Sequence, residues 1–187
     1  MTDTVPPEKP AWRLWTPQGF RDDDEWIHAE DLGEADETNT GVILPLLAFL
    51  NLDDERRASL SGRIGVSVQP GEPLDDLVPF LPELKLVALS FPAFSDGRSF
   101  SKAELLRSRY GFDGVLRATG DVLIDQVPHM LRLGFNEFEV TNATALKRLA
   151  EGRIGGIEQH YQPAAISEEK GATYSWRRVA SPGEPIS

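Results

Sequence analysis

Residues 94–126 read FSDGRSFSKAELLRSRYGFDGVLRATGDVLIDQ and combine residue types that bind small anions. Arg98 follows a Ser-Asp-Gly sequence, and Arg117 interrupts an apolar run. Arginine presents a fork of N–H donors that matches phosphate, sulfate or carboxylate. A structural interpretation is open as well, because Asp-Gly is a common turn pair and Arg98 is placed to pair with Asp96 or Asp121. The stretch therefore predicts either an anion pocket or a tight turn.

Arg117 and Glu139 interrupt two successive predicted strands at the same relative position. Neighbouring parallel strands would bring these two side chains together. One interpretation is a buried ion pair with a structural role. The other is a ligand anion on Arg117, with Glu139 as the orienting group or base. A cleft that reaches Arg117 would favour the second interpretation.

Carboxylates near the predicted strand ends raise the question of a metal ion. Asp121 and Asp125 are one helical turn apart and could join Asp96 as oxygen ligands for a hard cation such as magnesium. Because Asp121 is also a good helix cap, we predict no metal site. The candidate ligand-binding residues are Asp96, Arg98, Arg117, Thr119, Asp121 and Glu139.

Several kinds of enzyme lack their sequence motifs here. No GxSxG, P-loop or GxGxxG motif occurs, so esterases, nucleoside triphosphatases and dinucleotide-binding enzymes are not indicated. The absence of cysteine excludes thiolate nucleophiles and cysteine-ligated clusters. The histidines have no metal-ligand spacing and are interpreted as surface or half-buried residues, not as catalytic bases: His28, His129 and His160.

Composition restricts the partners and the compartment. The net charge of -11 argues against nonspecific binding to nucleic acid or to an anionic membrane surface. No apolar run approaches the roughly 18 residues of a membrane span, and the first residues lack the features of a signal peptide. A soluble, cytoplasmic protein is expected, with neither nucleic acid nor membrane as a partner.

The chain is predicted to form a single α/β domain over residues 11–180, between flexible tails at residues 1–10 and 181–187. Residues 11–30 hold two aromatic segments, WRLW and EWIHAE, which predict a β-hairpin. Residues 41–152 repeat an apolar strand and an amphipathic helix. The predicted strands start near residues 41, 64, 86, 114 and 137. This spacing is typical of βα units.

Two helix starts carry cap signals. Ser101 and Glu104 have capping-box spacing, which predicts a helix from Lys102 that ends at Gly111. Asn142 is placed to cap the last helix of the repeat. Each predicted helix follows a strand, so the loops before the helices gather at one edge of the sheet.

The predicted strands alternate between apolar and polar residues. Matching positions place on one face Ser67, Gln69, Ser90, Arg117, Thr119, Glu139 and Thr141. A polar face favours a curved, mainly parallel sheet, similar to part of a TIM barrel. The alternative is an open doubly wound sheet. Since five or six strands cannot close an eight-stranded barrel, an incomplete barrel is expected, which the hairpin or a second subunit in a homodimer could supplement.

Four short motifs carry a resemblance to a known family. They are the DGR-x-FS turn, the LLR-x-R-x-GF helix end, the LRA-x-GDVL-x-DQ segment and the R-x-GF-x-x-F run. Over residues 86–149 the chain resembles a bacterial family of unknown function. Members of that family are described as oxidoreductases and are commonly encoded beside the assimilatory sulfite reductase.

The resemblance implies a role in sulfate assimilation through sulfite reduction. It implies no catalytic residue, and we predict no cofactor, because the chain has neither cysteine nor a flavin or nicotinamide fingerprint. We favour an accessory protein that binds the reductase or its electron donor. The alternative is a small-molecule enzyme, or a protein that binds an oxyanion or phosphate, with its site at the carboxyl edge of the strands.

Overall fold

The computed structural model describes residues 12–31, 41–93 and 95–155. The predicted tails at residues 1–10 and 181–187 lie outside the described residues, and so does the last part of the predicted domain. Within the described ranges, no helix is long and apolar enough to cross a membrane.

Eight strands form one curled half-barrel sheet. The strands are β1 (Arg13–Thr16), β2 (Gly19–Arg21), β3 (Trp26–His28), β4 (Gly41–Pro45), β5 (Ile64–Val68), β6 (Leu86–Phe91), β7 (Val115–Gly120) and β8 (Glu137–Val140). Their order across the sheet is β2-β1-β8-β7-β6-β5-β4-β3. From β3 to β8 all neighbours are parallel, whereas β1 is antiparallel to both β2 and β8. The fold is therefore a mixed α/β fold with a mostly parallel sheet.

Short helices lie between successive strands from β4 to β8, and a last helix follows β8. The α-helices are α1 (Leu46–Leu50), α2 (Asp54–Ser59), α3 (Arg98–Glu104), α4 (Val127–Arg132) and α5 (Ala143–Ala150). A 3-10 helix spans Val78–Glu83, and α3 continues into a π turn at Leu105–Arg109. Asn142 caps α5 as predicted, because its side chain accepts from the backbone N–H groups of Thr144 and Ala145 at 3.0 Å.

The predicted hairpin between WRLW and EWIHAE does not form. The WRLW segment instead pairs with Gly19–Arg21 through a tighter turn, and the EWIHAE segment forms β3 at the opposite end of the sheet. The ring of Trp26 lies over Gly41 of β4, where a Cβ atom would come within 2.5 Å of it. The missing side chain at Gly41 thus lets β3 add to the parallel strands.

The two faces of the sheet bury different residue types. The outer face packs against the helices, and one cluster joins Phe138 of β8 with Phe49 of α1, Met130 of α4 and Leu149 of α5. The concave face holds a smaller apolar cluster at Ile43, Leu86 and Ala88, with Trp26 and Val115 packed against it. The concave face also carries polar side chains, among them Arg117, Thr119 and Glu139, as the alternating sequence predicts.

Gly120 ends β7 in a conformation that favours glycine. Its φ is 90°, and a Cβ atom there would lie 2.5 Å from the carbonyl oxygen of Phe91. Gly62 is a matched control, because its φ is 82° and nothing lies within 4 Å of the added Cβ. We expect Gly120→Ala to lower the free energy of unfolding by about 1–3 kcal/mol more than Gly62→Ala does. Equal losses in urea unfolding would contradict the close approach of Gly120 to β6.

Candidate functional site

The polar residues of the concave face follow from the strand register. Arg117 of β7 pairs with Glu137 of β8, and Thr119 pairs with Ser90 of β6. Glu139 is two residues beyond Glu137 and so projects to the same face. The register therefore gathers polar groups from three neighbouring strands on the inside of the curl.

Arg117 is the largest fully buried side chain and lies among three carboxylates. Its Nε and Nη2 donate to Oε2 of Glu137 at 2.9 and 2.6 Å, and its Nη1 and Nη2 donate to Asp24 at 2.8 Å each. Nη1 also donates to Oε1 of Glu139 at 3.2 Å. A guanidinium has five N–H donors, and all five are used here. An external anion would have to displace a carboxylate to reach Arg117.

The surroundings of Arg117 stabilise its positive charge. Burial by itself would lower the pKa of Arg117, but the hydrogen bonds and the charges of Asp24 and Glu137 outweigh it and raise the pKa above its ordinary value. The arginine is thus a permanent cation that neutralises part of an acidic cluster. This arrangement is the buried ion pair of the structural interpretation, with two more carboxylates than the sequence indicated.

His28 and Glu139 form a second polar contact across the concave face. Nε2 of His28 lies 2.7 Å from Oε1 of Glu139. The histidine side chain is 38% exposed, whereas that of Glu139 is only 6% exposed. A carboxylate can only accept, so Nε2 of His28 donates to Glu139, and in the corresponding neutral tautomer Nδ1 is the nitrogen with the lone pair. No hydrogen bond to Nδ1 occurs among the described residues.

His28 opens into a cavity of about 420 Å³ at the carboxyl ends of β3, β4 and β5. We call it the carboxyl-edge cavity. Its lining consists of His28, Ala29, Glu30, Ile43, Pro45, Ser67, Gln69 and Glu72. The volume is in the range of small-molecule sites, and in barrels of βα units this edge carries the active site.

Asp96 and Arg98 pair with each other instead of joining Arg117. Nε and Nη2 of Arg98 donate to the two carboxylate oxygens of Asp96 at 2.9 and 2.7 Å, and the Arg98 side chain is 64% exposed. The Arg98 hydrogen bond is the main reason why the pKa of Asp96 is lowered. This geometry fits the tight turn predicted as the structural interpretation. Asp121 does not cap a helix, since α4 begins only at Val127.

The candidate residues thus divide into separate groups. Arg117 and Glu139 are in contact, while no hydrogen bond or ion pair within the described part of the chain connects Arg117 to Arg98 or Asp121. Thr119 is buried on the same face, next to Ser90.

Three residues of the polar cluster were not identified from the sequence. Glu137 could have been found, because it is two residues before Glu139 and shares its face. His28 shares a face of β3 with Trp26, but it could be assigned to the site only once the position of β3 in the sheet was known. Asp24 is one of three consecutive aspartates and carries no distinguishing signal.

One family model matches the chain. It is described as "Bacterial protein of unknown function (DUF934)" and covers residues 65–171, more than half of the sequence. The chain belongs to this family. No curated protein and no solved structure matches it. The DUF934 match includes Arg117, Glu137 and Glu139, whereas Asp24 and His28 lie before it.

A metal centre in this DUF934 protein would need several ligands close together. Across the described ranges, no group of three or more His, Asp or Glu side chains is arranged to hold a metal ion. In the cluster of Asp24, Glu137 and Glu139, the position between the carboxylates is occupied by the Arg117 guanidinium.

Proposed function

We propose that the protein is a small-molecule enzyme that transfers protons in the carboxyl-edge cavity. The observation that carries the proposal is the 2.7 Å contact between a buried carboxylate, Glu139, and the cavity-lining histidine His28. A histidine oriented by a carboxylate is a general arrangement for acid–base catalysis. The half-barrel would then work as TIM barrels do, with its chemistry at the carboxyl ends of the strands.

Each group has a defined role in this proposal. The lone pair on Nδ1 of His28 takes a proton from the bound substrate, whose bonding electrons stay on the substrate atom. Glu139 stabilises the imidazolium that forms and keeps Nε2 protonated throughout. The same Nδ1 returns the proton to another atom of the substrate or product, so the histidine ends as it began. Arg117 positions Glu139 through Nη1.

The lining of the cavity favours a neutral or cationic substrate. Glu30 and Glu72 contribute carboxylates to the wall, and Glu139 adds another behind His28. A negative wall disfavours an oxyanion through Coulombic repulsion. Arg98 and Arg117 do not offset this charge, since each is already paired with aspartate or glutamate. The ammonium group of Lys102 donates to the backbone carbonyls of Gln69 and Glu72 and offsets one of the three negative charges.

Binding to the cavity can be tested with a library of neutral and cationic metabolites in a thermal-shift assay. We expect one class of compounds to raise Tm by several degrees when present far above its Kd. Ser67→Trp, which fills the cavity, should abolish the shift. Ser61→Trp is the control, because Ser61 is exposed and is not part of the lining. No stabilising compound, or a shift that survives in Ser67→Trp, would contradict the proposal.

The role of His28 predicts a specific kinetic defect. With a compound that the protein turns over, His28→Ala should lower kcat about 10²–10⁴-fold while binding of that compound changes little. His129→Ala is the control, since His129 packs against Phe100 with ring centroids 5.0 Å apart and does not line the cavity. Equal kcat values for His28→Ala and the unaltered protein would exclude His28 as the proton-transferring group.

The second proposal is the accessory role that the motif resemblance implies. The protein would bind the assimilatory sulfite reductase, or its electron donor, in the cytoplasm. The net charge of -11 supports it, because an acidic surface favours association with a basic partner surface. We expect deletion of the gene to slow growth on sulfate but not on cysteine, and the tagged protein to co-purify with the reductase. Normal growth on sulfate as the sole sulfur source would contradict this role.

A further inference from the structure

A larger cavity opens at the opposite ends of the strands. Its volume is about 850 Å³, and its lining includes Trp26, Lys85, Tyr110, Phe112, Asp113 and Glu137. We call it the amino-edge cavity. It shares none of its lining residues with the carboxyl-edge cavity. The volume is within the range of about 300–1,000 Å³ that is typical of ligand pockets.

Two aromatic walls of this cavity are held against glycines. Trp26 lies over Gly41, and Phe112 lies over Gly114, where an added Cβ would also come within 2.7 Å of the carbonyl oxygen of Lys85. Any larger residue at either glycine would push the ring or the backbone away. The rings are thus fixed in place before a ligand binds, which lowers the entropic cost of binding.

Glu137 contributes a carboxylate oxygen to the lining of the same cavity. Both hydrogen bonds that it accepts from Arg117 end on Oε2. Oε1 accepts no hydrogen bond from the described residues, but it keeps some contact with solvent. The Glu137 side chain as a whole is only 15% exposed. Because Arg117 holds the other oxygen, this acceptor is fixed in position.

We propose that the amino-edge cavity is a second binding site, specific for an organic cation with a flat, apolar body. The aromatic face of Trp26 attracts a cation through its quadrupole, and Trp26 together with the largely buried ring of Phe112 covers the apolar part of the ligand. Oε1 of Glu137 accepts a hydrogen bond from the ligand's ammonium group. The lining also contains the carboxylates of Glu25 and Asp113 and one positive charge, that of Lys85. The lining is therefore net negative and repels anions.

Two probes of similar shape test the charge preference: benzylamine and benzoate. In the ¹H–¹⁵N NMR spectrum of the full chain, benzylamine up to about 10 mM should shift the indole N–H signal of Trp26 in a saturable way. Trp26→Phe assigns that signal. Benzoate should bind at least about tenfold more weakly than benzylamine. No shift with benzylamine, or equal binding of benzoate, would overturn the proposal.

Glu137→Gln tests the recognition group and should weaken benzylamine binding at least about tenfold. Glu72→Gln is the matched control, since Glu72 lines only the carboxyl-edge cavity, and it should leave the affinity unchanged. Asp113→Asn is the second test, needed if Glu137→Gln does not fold, because it leaves the hydrogen bonds of Arg117 intact. It should weaken benzylamine binding about two- to threefold. Unchanged affinity in both Glu137→Gln and Asp113→Asn would overturn the assignment.

Discussion

Arg117→Met is expected to lower the free energy of unfolding by about 3–5 kcal/mol. The substitution keeps an apolar stem of similar length but removes the guanidinium that pairs with Asp24, Glu137 and Glu139. The three carboxylates then repel one another, and most of their hydrogen-bond partners are lost. Since whole domains are stable by only about 5–15 kcal/mol, urea unfolding should show the loss clearly.

Two further variants make the result for Arg117 specific. Arg117→Lys keeps the charge but has three N–H donors instead of five. Its free energy of unfolding should therefore lie between those of Arg117→Met and the unaltered protein. Arg56→Met is the control, because Arg56 and Asp53 form an exposed pair with side chains 68% and 64% exposed. Arg56→Met should lower the free energy of unfolding by less than about 1 kcal/mol. Equal costs for Arg56→Met and Arg117→Met would mean that the buried cluster does not form.

Phe138→Ala is expected to lower the free energy of unfolding by about 3–5 kcal/mol. Phe138 lies on β8 and projects to the face opposite Glu137 and Glu139. Phe138 is fully buried, and its ring centroid lies 5.3 Å from that of Trp15 and 6.3 Å from that of Phe135. Truncation leaves a cavity between β8 and β1 that close-packed neighbours fill only in part. Loss of stability should again be measured by urea unfolding.

Leu47→Ala is the control for Phe138→Ala, because Leu47 is 67% exposed in α1. Its effect should remain within about 0.5 kcal/mol. If Phe138→Ala cost as little as Leu47→Ala, then β8 would not present Phe138 to the core and Glu139 to the concave face. The orientation of the proposed site would then be wrong.

The parallel strands could be located from the sequence because each is an apolar run with a helical segment after it. Four of the five strands begin at the predicted residue, and β7 begins at Val115, one residue later than predicted. The alternation within the runs also predicted the polar concave face, since successive side chains of a strand point to opposite faces. Contacts between neighbouring parallel strands, such as Arg117 with Glu139, follow from the same pattern.

Long-range contacts could not be predicted in this way. Asp24 is 93 residues from Arg117, and His28 is 111 residues from Glu139, so both contacts depend on how far the sheet curls. The capping-box prediction failed for a similar reason. The helix begins at Arg98 and not at Lys102, because Ser99 donates to the Ser90 carbonyl at 2.6 Å and fixes the first turn on β6.

A crystal structure of the protein with a compound that stabilises it in the thermal-shift assay would show whether His28 and Glu139 face a bound substrate. We expect the compound to occupy the carboxyl-edge cavity, with a polar or acidic atom about 2.6–3.2 Å from Nδ1 of His28. In the same structure, Nε2 should keep its contact with Glu139. A compound bound away from His28, or a His28 ring that has left Glu139, would contradict the proposal that these two residues transfer protons.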